Sequence, residues 1–347
     1  MSFVRFAQTD IVNDTAKITT STWTNNTNEL TVATANTSSV QAAFGSPTAS
    51  GAHFIEVFNA DPNSVSTAEV QYAVAYGHRG GSGSLNFTHA VGGHGFSPTR
   101  NVYSQYRQLV FGTETQDFNF TDHTPEDIYV ININRSRYKH NLKPGSLNLT
   151  LGTVAAGRLH LTDDSVTATG SSTVTNAGRQ FNIVSGSNGV RLGNDNVFVS
   201  GKGSYGFFYP DSGFIVLNAE CLDAAIGAGG TAIATDRTSN NDSLNHRKLL
   251  HKIDDGASFI VDSEEKVSST YYFARARNFE FNYTTNPSFV DNSGNVLINS
   301  MIDNPTTYIT TVGMYNDAGD LLAVAKLSQP ITKDFTKEAL IRVKLDY

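Results

Sequence analysis

The chain has 347 residues, a net charge of −7 and 16% charged residues, against about 25% in ordinary globular proteins. That length suits about two domains, and the acidic balance, with a sequence pI of 5.7, excludes a surface built to neutralise phosphates. With 21 Phe and 14 Tyr among abundant Asn, Thr, Ser and Gly, wholesale disorder is excluded, and strands and turns are favoured over helices.

Residues 1–50 are polar and β-branched, with a small-residue stretch from Ala33 to Ser50. They predict an extended arm with little core of its own that orders against a neighbour. Met1 to Phe6 starts no apolar run of export-signal length, so no leader is expected. No run of about 18 apolar residues predicts a membrane-spanning helix. Strands are predicted at Phe54–Phe58 and, by period-two alternation, at Glu69–Tyr76. Tyr103, Tyr106, Leu109 and Val110 fall at helical spacing, predicting a short amphipathic helix over Arg100–Phe111. Asp127–Asn134 is a continuous apolar run, as in a central strand. Lys143-Pro144-Gly145 predicts a turn, and Ser146–Leu151 a strand with Leu147, Leu149 and Leu151 on one face.

From about Thr153 to Gly203, Gly, Ser, Asn and Asp punctuate short strands near Leu159–Leu161, Phe181–Val184 and Val197–Val199. Tyr205–Asn218 predicts two strands around the turn Tyr209-Pro210-Asp211-Ser212-Gly213. Asn218 and Asp242 are candidate N-caps of two short helices. Clean strands return at Thr270–Asn282, Thr307–Tyr315, Leu321–Leu327 and Ala339–Leu345. Turns are explicit at Asp291–Gly294 and at Asn316–Gly319, the latter inside a hairpin. The expectation is a mainly β protein of antiparallel sheets in β-sandwich-like domains with a few short helices. Residues 152–264 would form an inserted or second domain, and 51–151 with 265–347 would share one sheet.

Candidate chemistry is sparse. His78, His89 and His94 lie among glycines, and imidazoles are good metal ligands. But ten and four residues separate them, with no helix to converge the rings. A contact-making loop without metal is expected. The pairs Asp163-Asp164, Asp254-Asp255 and Glu264-Glu265 read as solvated surface, because neighbours on a strand face opposite ways. Asp291 opens no EF-hand, since its twelfth position is Ile302. Gly201-Lys202-Gly203 lacks the spacing of a phosphate loop. Lone Cys221 allows no internal disulfide and reads as a small buried group. The N-x-S/T triplets at Asn86 and Asn148 carry no weight without an export signal. Two basic clusters stand out: Arg135, Arg137, Lys139 and Lys143, and, sharing a strand face, Arg275 and Arg277. They are candidate contacts for an acidic partner, as are the three histidines. No catalytic residue, metal or cofactor is expected.

Four blocks carry a resemblance: Ile128-Tyr129-Val130-Ile131-Asn132-Ile133-Asn134-Arg135; Tyr138-Lys139-His140-Asn141-Leu142-Lys143-Pro144-Gly145-Ser146; Phe208-Tyr209-Pro210-Asp211-Ser212-Gly213; and the stretch from Asn304-Pro305-Thr306-Thr307-Tyr308 to Asp346-Tyr347. The last holds the most specific part, Val312-Gly313-Met314-Tyr315-Asn316-Asp317 followed by Leu321-Leu322-Ala323-Val324-Ala325-Lys326. Together they resemble virion structural proteins of T4-like contractile-tailed phages that infect marine cyanobacteria. The resemblance covers roughly the last 220 residues in patches. It implies a non-enzymatic tail protein, most of all of the baseplate wedge, made in the host cytoplasm and assembled in several copies with other tail proteins. It brings no catalytic residues. A receptor- or glycan-binding fibre protein is the first alternative, although the repeats of a fibre are missing. A polymer hydrolase is the second, and would need two carboxylates about 5–10 Å apart.

Overall fold

The computed structural model describes residues 3–24, 29–30, 54–60, 65–84, 97–121, 123–152, 158–167, 172–192, 201–224, 233–238, 243–256, 258–284 and 286–347. The chain is mainly β, with antiparallel strand pairing and three short α-helices among the described residues. It divides into two compact units, 18–265 and 1–17 with 266–347.

The larger unit is built on one twelve-stranded sheet. Its strands are β2 (Glu29–Leu30), β3 (Phe54–Phe58), β4 (Val70–His78), β5 (Asp127–Ile133), β7 (Asn148–Leu151), β8 (Leu159–Asp163), β9 (Thr173–Thr175), β10 (Gly178–Ser187), β11 (Val190–Arg191), β12 (Gly206–Tyr209), β13 (Phe214–Asn218) and β14 (Phe259–Ile260). The main path runs β2-β14-β7-β8-β10-β12-β13-β5-β4-β3, with β9 and β11 paired to β10. Two helices, α1 (Pro98–Phe111) and α3 (Asn245–Gly256), flank it, and the short α2 (Ala219–Asp223) follows β13.

Side-chain alternation sorts the central strands between two cores. Tyr129, Ile131 and Ile133 of β5 enter one core with Ile215, Leu217 and Phe208, joined by Leu249, Leu250 and Ile253 of α3. Ile128 and Val130 enter the other with Phe214, Val216, Phe207 and Tyr209, joined by Tyr103 and Val110 of α1. A strand buried on both faces must be apolar throughout, which is why β5 reads as a continuous run. Each such side chain contributes about 1.5–3 kcal/mol when taken from water.

Helix α1 starts two residues before the expected Arg100: the Ser97 side chain accepts from Arg100 N, a proline stands in the first turn, and Gly112 closes the helix in a left-handed conformation. Asn218 caps α2 by accepting from Cys221 N. Cys221 itself is buried, as a small apolar group would be. Asp242 lies outside the described residues, as do Val197–Val199.

The smaller unit holds β1 (Ile11–Ser21, entering from the chain start), β15 (Asp262–Ala276), β16 (Thr307–Tyr315), β17 (Leu321–Lys333) and β18 (Ala339–Asp346). Its sheet runs β1-β15-β18, with Ser269 opposite Asp346 and Ala276 opposite Ala339. The first residues of β15 belong to the larger unit, where Ser263 and Glu264 pair with Leu142 and Asn141 of the two-residue β6 (Asn141–Leu142). Strands β16 and β17 make a separate two-stranded ribbon. Its turn is the expected one: Asn316 Oδ1 accepts from Asp320 N at 2.7 Å. Met314, Ile341 and Val343 form a small core with Phe6 and Tyr272 packed on it.

Three expectations about organisation need correction. Residues 51–151 and 265–347 do not share one sheet: β3, β4, β5 and β7 lie in the twelve-stranded sheet, whereas β15 with β18, and β16 with β17, form sheets of their own, joined from the described residues of 51–151 by the two-residue β6 alone. Residues 152–264 form no separate domain, because β8, β10, β12 and β13 run in the same sheet between β7 and β5. The heavy punctuation there marks turns between neighbouring strands. Nor are the described residues of 1–24 an arm without core that waits for a neighbour: they order against this chain. Ile11–Ser21 is a strand of the β15 sheet, and Trp23 is buried beside Tyr72 and Phe259, with ring centroids at 6.1 and 5.1 Å. Its Nε1 donates to Phe259 O at 3.0 Å. Most of 25–50 lies outside the described residues.

Candidate functional site

A dense polar cluster among the described residues of the larger unit sits where β4 ends and β5 begins. Asp127 opens β5 and is fully buried. Tyr76 OH donates to its Oδ2 at 3.0 Å. Arg237 Nε lies 2.8 Å from the same oxygen, while Arg237 Nη1 lies 2.6 Å from Asp223 Oδ2. Asp223 Oδ1 accepts from Thr235 N and Oγ1, both at 3.1 Å. Tyr129 OH meets Thr235 Oγ1 at 2.8 Å. Asn245, at the start of α3, exchanges two hydrogen bonds with the backbone of Asp236.

Burial pushes the Asp127 carboxyl up to about 6, against the pull of Arg237 and Tyr76. The attraction is real, since the Arg237 guanidinium is itself held above its usual range by Asp127 and Asp223 despite its own burial. Loss of water around Asp127 outweighs it: Oδ1 has no hydrogen-bond partner among the described residues. The Asp127 carboxyl has no solvent contact. What this arrangement does is clamp 233–238 and the start of α3 onto the end of the sheet.

His78 lies beside this clamp at the end of β4. Its Nδ1 accepts from Gly80 N at 2.9 Å, which places the ring proton on Nε2. Nε2 faces Glu126 at 3.9 Å. Burial lowers its pKa, Glu126 raises it, and Arg237 and Arg79 lower it further, leaving it below the usual histidine value. His89 and His94 lie outside the described residues. Among the described residues no three His, Cys, Asp or Glu gather as metal ligands. Nearby, Asp117 Oδ2 accepts from Arg79 at 2.7 Å and Oδ1 from Arg107 at 3.1 Å. Burial works against that carboxylate, but the two arginines hold it below its usual range.

The basic residues disperse into different tasks. Arg137 turns inward, its Nη1 on Glu69 Oε2 at 2.8 Å and on Thr24 Oγ1 at 2.6 Å. Arg135 caps Tyr138 O at 2.6 Å and lies 4.6 Å over the Tyr138 ring. Lys139 is exposed, and its backbone N is held by Ser263 Oγ. Arg275 pairs with Glu338 at 2.8 Å. Arg277 falls one residue past the end of β15, with its backbone N donating to Glu280, so the two arginines do not share a strand face.

Three blocks of the resemblance converge on one corner of the larger unit. Ile133 N donates to Gly213 O, Leu142 N to Pro210 O, and Tyr138 OH to Ser212 O. Asp211 takes the Arg179 guanidinium at 2.6 Å and the Arg179 backbone N at 2.8 Å. Gly213 has φ +74°, and a Cβ there would strike the Tyr138 ring. These motif residues therefore hold a turn against a strand.

The most unusual surface belongs to the smaller unit. It carries 18 of the 26 exposed large apolar side chains among the described residues. It also carries as many acidic as basic residues, so the net charge of −7 resides in 18–265. In the β16–β17 ribbon Tyr308, Tyr315, Leu321, Leu322 and Val324 are exposed, while small Ala323 and Ala325 turn toward the core. Sequence reading found these strands but not the exposure of their larger side chains. The available signal was the alternation of small and large residues over Leu322–Leu327.

Compared with known proteins, the chain matches no family model, no curated protein and no solved structure.

Proposed function

We propose that this chain is a non-enzymatic structural component of a contractile phage tail, a baseplate wedge protein that holds neighbouring subunits together in the virion. The observation that carries this reading is the neutral, apolar-surfaced unit of 1–17 and 266–347. A two-stranded ribbon is marginal by itself, and exposed apolar clusters of this extent mark protein contacts. The resemblance in Val312–Lys326 falls on the same ribbon, and the buried ionic groups of the larger unit serve its fold. The test is a map of the intact particle. The chain is expected in several copies in the baseplate, with Leu321, Leu322 and Val324 covered by another subunit. Finding those side chains in solvent, or the chain outside the tail, overturns the reading.

One observation favours a second reading, the glycan-binding one. A recess of about 440 Å³ in the larger unit is lined by Phe111, Gln116, Asn119, Asn176, Gln180 and Phe207. Amides beside aromatic rings suit a neutral sugar. Binding of oligosaccharide from the host surface that is lost on Gln180→Ala, with the protein at a fibre tip, would favour it.

A further inference from the structure

Lys333 ends β17 and is fully buried, the only lysine or arginine so placed among the described residues. A buried ammonium is normally paired with a carboxylate. Here the three acceptors are all carbonyl oxygens: Asn282 Oδ1 at 2.8 Å, Asn278 O at 2.9 Å and Asp334 O at 3.0 Å. The Asp334 carboxylate is engaged elsewhere, by Thr336 N and Oγ1 and by Lys337.

Asn282 is buried too. Its Nδ2 donates at 2.7 Å to Asn278 O, the oxygen that also accepts from Lys333 Nζ. One carbonyl thus holds the lysine nitrogen and the amide nitrogen side by side. The backbone beneath is fixed as well. Thr307 pairs with Lys333 in the ribbon, and its Oγ1 donates to Phe281 O at 2.7 Å.

We propose that Lys333 and Asn282 are the two halves of an intramolecular isopeptide bond. A lysine amine is a nucleophile once it is neutral, and fixed proximity raises the rate of an otherwise slow acyl transfer. The ammonium first loses a proton, which reaches water when the site opens transiently. The amine attacks Asn282 Cγ, forming the Nζ–Cγ bond. A proton passes from Nζ to Nδ2, the Cγ–Nδ2 bond breaks and ammonia leaves, to be protonated in water. One lysine ammonium and one carboxamide become one secondary amide and one ammonium ion, with no change of oxidation state. The product removes the buried charge and ties the end of β17 to the segment after β15.

The experiment is mass spectrometry on the full-length wild-type chain, fresh and after prolonged incubation at mildly alkaline pH. The expected result is a mass lower than that of the sequence by one ammonia in most chains, and a branched peptide joining Lys333 to Asn282 after digestion. Lys333→Met and Asn282→Ala each restore the full mass. Succinimide formation at another asparagine also loses ammonia, so the branched peptide decides. A folded wild-type chain that keeps its full mass and yields only linear peptides from both sites overturns the proposal, as does ammonia loss without the branch. The wild-type measurement decides even if both variants fail to fold.

Discussion

Asp127 shows how burial and charge compete at one residue. Its carboxyl is raised to about 6, so between about pH 4 and 6 the folded chain keeps a proton that the unfolded chain has released. Stability from this group is therefore greatest below pH 4 and is lost as pH rises toward 6, by roughly 2–3 kcal/mol. Asp117 and Glu220 act oppositely, since their lowered pKa values withdraw stability as pH falls below the ordinary carboxylate range. Burial works against the Glu220 carboxylate of α2, but Lys202 at 2.7 Å and His123 at 3.1 Å hold its pKa down. Asp127→Asn isolates the first effect. Urea unfolding of wild type and variant should show the variant gaining on wild type as pH rises from about 4 to 7. A difference that does not change with pH sinks this account. Residue type alone was a poor guide to these roles. Arg137 reads in sequence as part of a basic patch, yet it is half-buried and its guanidinium is taken up by Glu69 and Thr24, which lie far off along the chain. Arg237 and Asp223 carry no motif, and only the fold brings them to Asp127.

Elements were far more legible, because they are specified locally. The alternation in β4, the continuous apolar run of β5 and the Asn218 cap each sit within one short window, and each forms where the window points. Pairing among elements was not legible. Gly, Ser and Asn between β8 and β12 announce turns equally well inside one sheet or across a domain boundary. Helix ends offer direct tests. Ser97 caps α1 and also contacts Thr99 Oγ1 at 3.3 Å, so Ser97→Ala should lower stability by about 1 kcal/mol, with an upper range near 2. At the far end of α3, a Cβ on Gly256 would run into the Thr150 carbonyl and the Leu151 nitrogen of β7, both backbone atoms. Neither can swing aside as a side-chain tip does. Gly256→Ala should therefore lower the urea midpoint, by about 1–3 kcal/mol in stability, or move α3 off the sheet. An unchanged midpoint for either variant removes the corresponding contact from the account.

At the scale of the molecule, the division into two units makes the chain start a structural part of its end. Residues 11–17 add an edge strand to β15, Phe6 packs on Tyr272 with centroids at 5.6 Å, and Arg5 reaches Asp317 at 2.7 Å. The exposed Arg5 pair adds little; the strand and Phe6 matter more. The small core has only three buried apolar residues at its centre, Met314, Ile341 and Val343, so each covering side chain counts. Deleting residues 1–17 should therefore loosen the smaller unit and spare the larger. Hydrogen exchange reads this directly. Amides of 268–276 and 339–346 should lose protection in the deleted chain, because β15 loses a neighbour and the core loses Phe6. Amides of β5 and β13, deep in the twelve-stranded sheet, should stay protected as in the full chain. Phe6→Ala should produce a weaker form of the same pattern. If the deletion leaves protection at 268–276 unchanged, the first strand is a passive tail. If it also strips β5 and β13, the two units do not keep separate stabilities, and the division fails as an energetic one.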